Sequence, residues 1–434
     1  MYFLYNIMLI IYWIGLIPVI LYRLTFEEGF YERIKQSAGY MPDMLMRKIE
    51  GRRAIWLHAA SVGEIVATSP IVKEIKREFP EAVVVVSVVT ATGHAMAHRI
   101  IPEAEGVIFF PLDLPFLTRR ILRLIKPIAI LLVETEIWPN FLRIAEDEKI
   151  PVMMVNGRIS DRSMKRYKFI SSFTKDMLKR IQRFCMQSNI DGEYIAELGA
   201  NPKEIIVTGN TKYDQTYAIV TEEEKHQLQE EFGFGENHPV IIAGSTHKGE
   251  EDIVFKAFKS ILNQYPEARL LIAPREIPRG HEVKSISEKH GLKAICRSEM
   301  KAPVHSLTPV VVLDTIGELG RLYSLGDIIF VGGSLARIGG HNILEPAAHG
   351  KPIVVGPHMF NFKEIYALLS SRNACIMVDD TVEFEQVLLD LCNDAERRKI
   401  MSDNCIQLMI ENRGATKRNV KEMRRLFQEH NIIP

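Results

Sequence analysis

The alternation of short apolar runs with longer helical stretches constrains this chain more than any other feature. From Ala54 onward the runs are almost continuously hydrophobic, as in strands of a parallel sheet covered on both faces. The first series predicts strands at 54–60, 82–89, 107–110, 127–133, 151–155, 184–187 and 205–208. The second series predicts strands at 239–243, 268–273, 310–313, 328–331, 352–355 and 375–378. Two such series predict an α/β protein with two Rossmann-like domains facing a cleft.

The length of the chain also favours two domains. It has 434 residues, and single cores stop growing beyond roughly 250–300 residues. We predict an N-terminal membrane anchor at 1–22, Rossmann-like domains at 23–213 and 214–410, and a C-terminal helix at 411–434.

Charge and cysteine content exclude several classes of protein. Lys and Arg together number 54, and so do Asp and Glu. A balanced surface argues against a nucleic-acid partner, whose phosphates would have to be neutralised. The five cysteines form no CxxC pair, so a reducing compartment is expected, with no disulfide framework and no metal site.

Residues 1–22 contain no charged side chain and are long enough to cross a bilayer. The run ends at Arg23 without the basic start or the small-residue cleavage site of a secretory signal, which predicts an uncleaved anchor. Lys and Arg are frequent just after it, so the body of the protein is expected in the cytoplasm. A buried core helix remains the alternative.

Glu64 follows the first predicted strand, at or near the start of a helix, with Ser61 and Gly63 just before it. The positive end of a helix favours an ionised carboxylate, which could take a proton from an attacking hydroxyl. A helix-capping carboxylate is an equally good interpretation. Glu134, Glu136 and Trp138 follow another strand and could bind a polar acceptor or a cation, or could be helix-start acids beside a packed Trp.

In the second series, a turn with small and hydroxyl residues contains Ser245 and His247. Its unpaired backbone N–H groups could cradle an anion, although the GxxxxGK[ST] spacing of an ATP-binding loop is absent. Arg275 ends the next strand after Pro274, where its guanidinium could grip a phosphate. A surface arginine is the alternative.

The strongest local signal is a glycine-rich segment from 331 to 350. It includes Gly340 and His341, and a helix is predicted from about Asn342 to Gly350. The glycines allow a ligand to approach the backbone, and Glu345 is placed to accept hydrogen bonds from ribose hydroxyls. The start of the helix would attract the phosphate of a nucleotide donor.

Taken together, these motifs resemble those of the 3-deoxy-D-manno-octulosonic acid (Kdo) transferases, glycosyltransferases of the GT-B fold. The resemblance covers nearly the whole chain. It rests on HAASVGE (58–64), FPLDLP (110–115), ETEIWPN (134–140), NGRIS (156–160), TGNTKYD (208–214), AGSTHKGE (243–250), DTIGEL (314–319), FVGGS (330–334) and GGHNILEPAAHGKPIVVGPHMFNFKE (339–364).

The resemblance implies that Glu64 is the general base that activates the acceptor hydroxyl. It also implies a set of residues that hold the CMP part of the donor: Pro274, Arg275, Ile316, Gly317, Glu318, Asn342, Ile343, Leu344 and Glu345. Lys212 would add positive charge near the donor. Two departures from the family pattern stand out, Glu276 after the Pro-Arg pair and Gln36 in the basic run before the first strand.

The implied reaction transfers Kdo from CMP-Kdo to a lipid A precursor, lipid IVA, at the cytoplasmic side of the bacterial inner membrane. It is an inverting displacement with no cofactor, in which Arg275, Lys212 and a helix start could stabilise the leaving group without a metal. The sequence leaves open whether a divalent ion assists. A sugar-nucleotide epimerase of similar architecture and a non-catalytic membrane-attached binding protein are the alternatives. The sequence leaves open the number of Kdo residues added.

Overall fold

The computed structural model describes residues 1–27, 29–215, 217–218, 220–235, 238–301 and 308–433. Within them the chain forms two compact units. Unit 1 comprises Met1–Gln215 and Asn412–Pro434, and unit 2 comprises Thr216–Glu411. Pro434, the last residue of the predicted C-terminal helix, lies outside the described residues.

Unit 1 is built around a parallel sheet. Its strands are β1 (Ala54–His58), β2 (Val83–Val88), β3 (Gly106–Phe109), β4 (Pro127–Val133), β5 (Val152–Gly157), β6 (Arg183–Met186) and β7 (Ile205–Val207). Its helices are α1 (Tyr2–Phe26), α2 (Phe30–Ser37), α3 (Asp43–Ile49), α4 (Val62–Glu78), α5 (Ala91–Ile100), α6 (Pro115–Ile125), α7 (Pro139–Asp147), α8 (Asp161–Phe169), α9 (Ser171–Leu178) and α10 (Asn189–Glu197). The strand order is β3-β2-β1-β4-β5-β6-β7. The first predicted series of strands is therefore confirmed.

Unit 2 contains a second parallel sheet. Its strands are β8 (Val240–Thr246), β9 (Arg269–Pro274), β10 (Ala294–Cys296), β11 (Val310–Val312), β12 (Ile328–Val331), β13 (Ile353–Val355) and β14 (Cys375–Met377). Its helices are α11 (Glu222–Phe232), α12 (Glu250–Gln264), α13 (Gly280–Lys289), α14 (Leu319–Leu322), α15 (Leu344–Ala348), α16 (Lys363–Ser371), α17 (Thr381–Asn393) and α18 (Ala395–Asn412). The strand order is β10-β11-β9-β8-β12-β13-β14.

Each sheet reverses its direction of winding at one pair of central strands. In unit 1 this pair is β1 and β4, and in unit 2 it is β8 and β12. Ligands of open parallel sheets bind beyond the carboxyl ends of such strands. The central strands are buried on both faces, as their unbroken hydrophobic sequence requires. The segments that follow them are consequently the places to look for chemistry.

One strand of unit 2 was missed by sequence reasoning. Strand β10 covers only Ala294–Cys296, pairs with β11 alone and lies at the edge of the sheet. Three residues between Lys293 and Arg297 are too few to show the continuous apolar run that marks the central strands.

The chain returns to unit 1 at its C-terminus. Helix α19 (Ala415–Glu429) buries Val420, Met423 and Phe427 in the core cluster that contains β1 and β2. The Asp214 carboxylate accepts hydrogen bonds from the backbone N–H groups of Gly414 (2.6 Å) and Thr416 (2.6 Å), which ties this helix to the end of the N-terminal segment.

Helix α1 is the described helix that is long and apolar enough to cross a membrane. Its first half is hydrogen-bonded to the rest of unit 1. Near its start, the Tyr5 hydroxyl donates to Asp113 (2.8 Å) and Asn6 accepts from the Asn140 side chain (2.7 Å). The opposite face of the helix is apolar and exposed, for example at Ile11 and Ile14. The helix therefore lies along unit 1 and presents an apolar outer face.

Candidate active site and family

Glu64 makes the capping contacts that one of its two interpretations predicted, and its role as a base stays a prediction. Ser61 caps α4, since its hydroxyl accepts from the Glu64 backbone N–H (3.3 Å). The Glu64 carboxylate in turn accepts from the Ala60 backbone N–H (2.7 Å) and from the Ser61 hydroxyl (2.8 Å). This pattern is similar to a capping box, but the backbone N–H that Glu64 binds belongs to Ala60, the residue before the cap. Gly63 and Ser61 are exposed beside the carboxylate, which is itself 8% exposed.

The surroundings of Glu64 shift the pKa of its carboxyl group towards neutral pH. Burial raises its pKa to about 7, and the neighbouring carboxylates of Glu136 and Glu134 add to the increase. A base is most effective when its pKa lies near the working pH. A carboxylate with only a capping role would not need two further acids close by.

The segment after β4 therefore lies with Glu64, at the carboxyl ends of the two central strands. Glu136 accepts a hydrogen bond from the Trp138 indole N–H (3.0 Å) and lies 3.6 Å from Nε2 of the buried His58. Glu134 lies 3.6 Å from the Lys212 ammonium. These polar contacts hold the acids in place around Glu64.

Three residues near the strand ends have a left-handed backbone conformation, which residues other than glycine rarely adopt. They are Glu134 (φ 55°), Asn156 (φ 51°) and Ser245 (φ 56°). Asn156 uses its side-chain oxygen to accept from the Thr211 backbone N–H (2.9 Å), which positions the turn that carries Lys212. Such conformations cost roughly 1–3 kcal/mol each and concentrate at functional sites.

In unit 2, the loops after β8 and β12 are joined by a residue that sequence reasoning missed. The Glu250 carboxylate, 1% exposed, accepts hydrogen bonds from five backbone N–H groups. They belong to His247 (2.9 Å), Gly333 (2.8 Å), Ser334 (3.1 Å), Leu335 (2.9 Å) and Ala336 (3.0 Å).

The Glu250 contacts correct two expectations. The backbone N–H groups of the turn with Ser245 and His247 were expected to cradle a ligand anion, but that of His247 binds the protein's own Glu250 carboxylate. Gly332 was expected to admit a ligand, but a Cβ there would lie 2.5 Å from the Ser245 carbonyl oxygen. The absence of a side chain at Gly332 therefore lets the two loops approach each other.

A polar cluster lies beside these loops. The Nε2 atoms of His247 and His341 are 2.8 Å apart, and their rings are stacked. Burial, the His247 ring and the Arg275 guanidinium lower the pKa of His341 to about 4, so this imidazole is neutral at pH 7. Burial raises the pKa of Glu345, while Asn342 and Arg275 oppose that increase. Arg275 is thus the cation of the cluster, and its side chain is exposed.

The helix after the glycine-rich segment is shorter than predicted. Helix α15 covers only Leu344–Ala348, instead of starting near Asn342 and ending at Gly350. Asn342 precedes it and accepts from the Leu344 backbone N–H (3.1 Å) while donating to Glu345 (3.1 Å). Five residues sum few peptide dipoles, so the start of this helix attracts an anion less strongly than was predicted. Ile343 is buried, and Gly340 has φ 77° with Met359 against it.

The segment Ile316, Gly317 and Glu318 presents two exposed residues and one fixed carboxylate. Ile316 is 69% exposed, and Gly317 has φ 90° with open space where a Cβ would be. Glu318 accepts from Thr315, Arg297 (3.2 Å) and Arg321 (3.2 Å). Burial opposes ionisation of Glu318, but these donors outweigh it and lower its pKa. Ile316 and Gly317 are therefore the parts of this turn open to a ligand.

The two departures from the family pattern have different surroundings. Gln36 is buried, and its side-chain oxygen accepts from the Phe109 backbone N–H (3.1 Å), so it fastens α2 to β3. Glu276 is exposed beside Arg275.

One group of side chains has the geometry of a metal site. Ligand atoms of His281, Cys296 and Glu299 lie within 4.8 Å of one another. Burial raises the pKa of the Cys296 thiol to about 11, and the Lys284 ammonium is 2.7 Å from Glu299. A protonated thiol and a paired carboxylate are poor metal ligands, so a hydrogen-bonded cluster is the better interpretation. All five cysteines are free and buried.

Each of the two Rossmann-like units carries a polar cluster near the carboxyl ends of its central strands. Residues 30–215 match the family model described as 3-deoxy-D-manno-octulosonic-acid transferase (kdotransferase). The chain is 32% identical to the 3-deoxy-D-manno-octulosonic acid transferase of Haemophilus influenzae, over 98% of this chain and 96% of that one. The enzyme of the same name from Bordetella pertussis is 30% identical, over 84% of this chain and 86% of that one. The chain belongs to the Kdo transferase family and is a Kdo glycosyltransferase of lipopolysaccharide biosynthesis.

Solved structures support the fold. The UDP-GlcNAc 2-epimerase from Neisseria meningitidis has a TM-score of 0.59 at 16% identity, and covers 86% of this chain and 100% of its own. A glycosyltransferase from Rickettsia africae has a TM-score of 0.56 at 15% identity, and covers 86% of this chain and 97% of its own. The predicted fold class, α/β with two Rossmann-like domains of the GT-B type and an N-terminal apolar helix, is confirmed. At such identities the likeness to an epimerase concerns the fold alone, so it does not favour the epimerase alternative.

Proposed function

We propose that this protein transfers Kdo from CMP-Kdo to a lipid A precursor, lipid IVA, and releases CMP at the cytoplasmic face of the bacterial inner membrane. Unit 2 supplies the donor site, and unit 1 supplies the base and the acceptor site. The observation that carries the proposal is the buried Glu64 carboxylate with a pKa of about 7, in a chain whose relatives are Kdo transferases.

In the proposed reaction the acceptor oxygen attacks the anomeric carbon of Kdo. The bond from that carbon to the CMP phosphate oxygen breaks, its electron pair leaves with CMP, and Glu64 takes the acceptor proton. Arg275 is the cation best placed to stabilise the negative charge on the departing phosphate. His341, neutral at pH 7, can add a hydrogen-bond donor. Ile316, Gly317 and the Asn342–Glu345 segment would hold the nucleoside.

Membrane attachment is assigned to α1. The outer face of α1 is apolar along the length of the helix, and Arg23 lies in its last turn. Basic residues immediately after such a segment favour the cytoplasmic side. The protein would thus meet its acylated acceptor at the membrane surface.

The proposal is tested by the requirement for both substrates. The purified full-length protein is incubated in detergent with CMP-Kdo, with or without tetraacylated lipid A precursor, and CMP is measured. We expect CMP release only when the lipid is present, with a matching mass increase in the lipid. An epimerase or a binding protein would show no lipid-dependent release, and either result would overturn the proposal.

The pH dependence of the rate follows from the raised pKa of Glu64. A base must be deprotonated to act, so activity is lost as the pH falls through about 7. We expect kcat/KM for the acceptor to fall about tenfold per pH unit below that value and to level off above it. A profile that is flat between pH 5.5 and 8 would exclude Glu64 as the base.

A further inference from the structure

A cavity of about 430 Å³ lies between α1 and the body of unit 1. Its α1 side is formed by apolar residues such as Trp13, Leu16 and Ile20, and its other side includes Phe110 and Trp138. This volume falls in the range of roughly 300–1,000 Å³ that is usual for small-molecule sites. One wall of the cavity is thus formed by a helix whose outer face is apolar and exposed.

Two arginines give the cavity a charge. Arg23 and Arg33 both line it. The Arg33 guanidinium lies over the ring of Phe30 (5.7 Å), and burial and the charge of Arg23 lower its pKa. Glu27 is 3.6 Å from Arg23, so it offsets part of this charge. An anion between the two guanidiniums would relieve their repulsion.

Asp113 is the remaining charged residue that lines the cavity, and its carboxylate already has hydrogen-bond donors from the protein. Asp113 accepts from the Tyr5 hydroxyl (2.8 Å) and from the backbone N–H groups of Asn140 (3.0 Å) and Phe141 (2.8 Å). By contrast, the indole N–H of Trp13 is buried without an acceptor among the described residues. An acylated, phosphorylated molecule would fill the apolar space, meet the two arginines and offer oxygens to this donor.

The cavity wall is continuous with the surroundings of Glu64. Trp138 donates its indole N–H to Glu136, one of the acids that raise the pKa of Glu64. Phe110 stacks on His58 with ring centroids 3.8 Å apart, and His58 in turn lies 3.6 Å from Glu136. A molecule in the cavity would thus lie against the aromatic side chains that position Glu136 beside Glu64.

We propose that this cavity holds an acyl chain of the acceptor lipid and that Arg23 and Arg33 bind one of its phosphates. The proposal rests on the proposed function and extends it, because it assigns the acceptor site to the space under α1. Ordinary membrane phospholipid is the competing occupant, and the continuity with the Glu64 surroundings favours the acceptor.

Kinetic variants test the apolar part of the site. Leu16→Trp fills the cavity, whereas Ile17→Trp places the same side chain on the outer face of α1, where Ile17 is 48% exposed. We expect Leu16→Trp to raise KM for the lipid acceptor at least tenfold with kcat and KM for the donor unchanged. Ile17→Trp should leave all three constants unchanged. Equal constants for the two variants would overturn the proposal.

A second variant tests the charged part. Arg33→Gln should raise KM about tenfold for the phosphorylated acceptor and leave KM for a dephosphorylated analogue unchanged, with Arg47→Gln as the surface control. An equal rise for both acceptors would contradict a phosphate contact at Arg33.

A binding measurement separates this proposal from the proposed function, because it needs no sugar transfer. Of the three tryptophans, Trp13 and Trp138 line the cavity and Trp56 is buried in the core. A lipid A precursor with brominated acyl chains, added to the full-length protein in detergent, should quench tryptophan fluorescence saturably, and Leu16→Trp should weaken the binding. Brominated phosphatidylglycerol should quench this fluorescence much less than the brominated lipid A precursor does. Equal quenching by phosphatidylglycerol, or no saturable quenching, would overturn the site even if the protein transfers Kdo.

Discussion

Glu64→Gln is expected to reduce Kdo transfer by roughly 10²–10⁴-fold while leaving the protein folded, since general base catalysis contributes about that much. Glutamine keeps the shape of the side chain. Its carbonyl oxygen can still accept from the Ala60 N–H, and its amide can donate to the Ser61 hydroxyl. The loss would therefore lie in kcat, with KM for the donor unchanged.

The stability of this variant separates a base from a cap. A folded-state pKa raised from 4.5 to about 7 means that ionisation of Glu64 opposes folding, and the opposition grows as the pH rises through that interval. At about 1.4 kcal/mol per pH unit, this amounts to a few kcal/mol at pH 8. We expect Glu64→Gln to raise the unfolding temperature at pH 8 and to have little effect at pH 5.

Glu74→Gln is the matched control on the same helix. Glu74 pairs with Arg77 at the protein surface, and a change there should alter stability by no more than about 0.5 kcal/mol and leave the rate unchanged. Thermal unfolding at both pH values and the rate of CMP release provide the measurements. A Glu64→Gln protein that is destabilised at pH 8 and transfers Kdo at an undiminished rate would show that the carboxylate is only a cap.

The sequence predicted the central elements because their signals are local. The strands β1 and β4 are continuous apolar runs, and polar residues follow them immediately, so the placement of Glu64 and Glu136 could be inferred without coordinates. The choice between cap and base could not be made, because both use the same position. It depends on burial and on acids 70 and 72 residues further along the chain.

Other features escaped prediction because they depend on distant partners. Nothing in residues 1–22 indicates that Tyr5 and Asn6 bond to Asp113 and Asn140, so the contact of α1 along unit 1 was invisible in the sequence. Lys212 was expected near the donor, and the structure pairs it with Glu134 of unit 1. Its contact with the donor stays a prediction. The hydrophobicity of α1 predicted an apolar environment for the helix. It did not predict which face of the helix would contact the rest of unit 1.

The role of Glu250 could not be predicted, because its neighbours in the sequence give it an ordinary appearance. It begins α12 and is followed by Glu251 and Asp252, so it resembles an ordinary acidic helix start. Four of its five N–H partners are 83 to 86 residues away. Its role is to fix the loop that carries His247 against the loop that leads to His341.

Glu250→Gln is therefore expected to destabilise unit 2. One oxygen of Glu250 accepts from Ser334, Leu335 and Ala336, and the other accepts from His247 and Gly333. An amide nitrogen at either position faces at least two N–H donors and leaves them without an acceptor. Each buried donor left so costs about 1–3 kcal/mol, which predicts a loss of roughly 2–6 kcal/mol.

The amides of residues 333–336 should then exchange hydrogen faster. KM for CMP-Kdo should rise because the loops after β8 and β12 are no longer held together. Asp252→Asn is the control, since this exposed neighbour on the same helix pairs with His290 at the surface. Hydrogen exchange and thermal unfolding measure the local and global effects. If exchange at these four amides stays at the wild-type rate, the carboxylate does not hold the loops together, and the arrangement of the donor site must depend on other contacts.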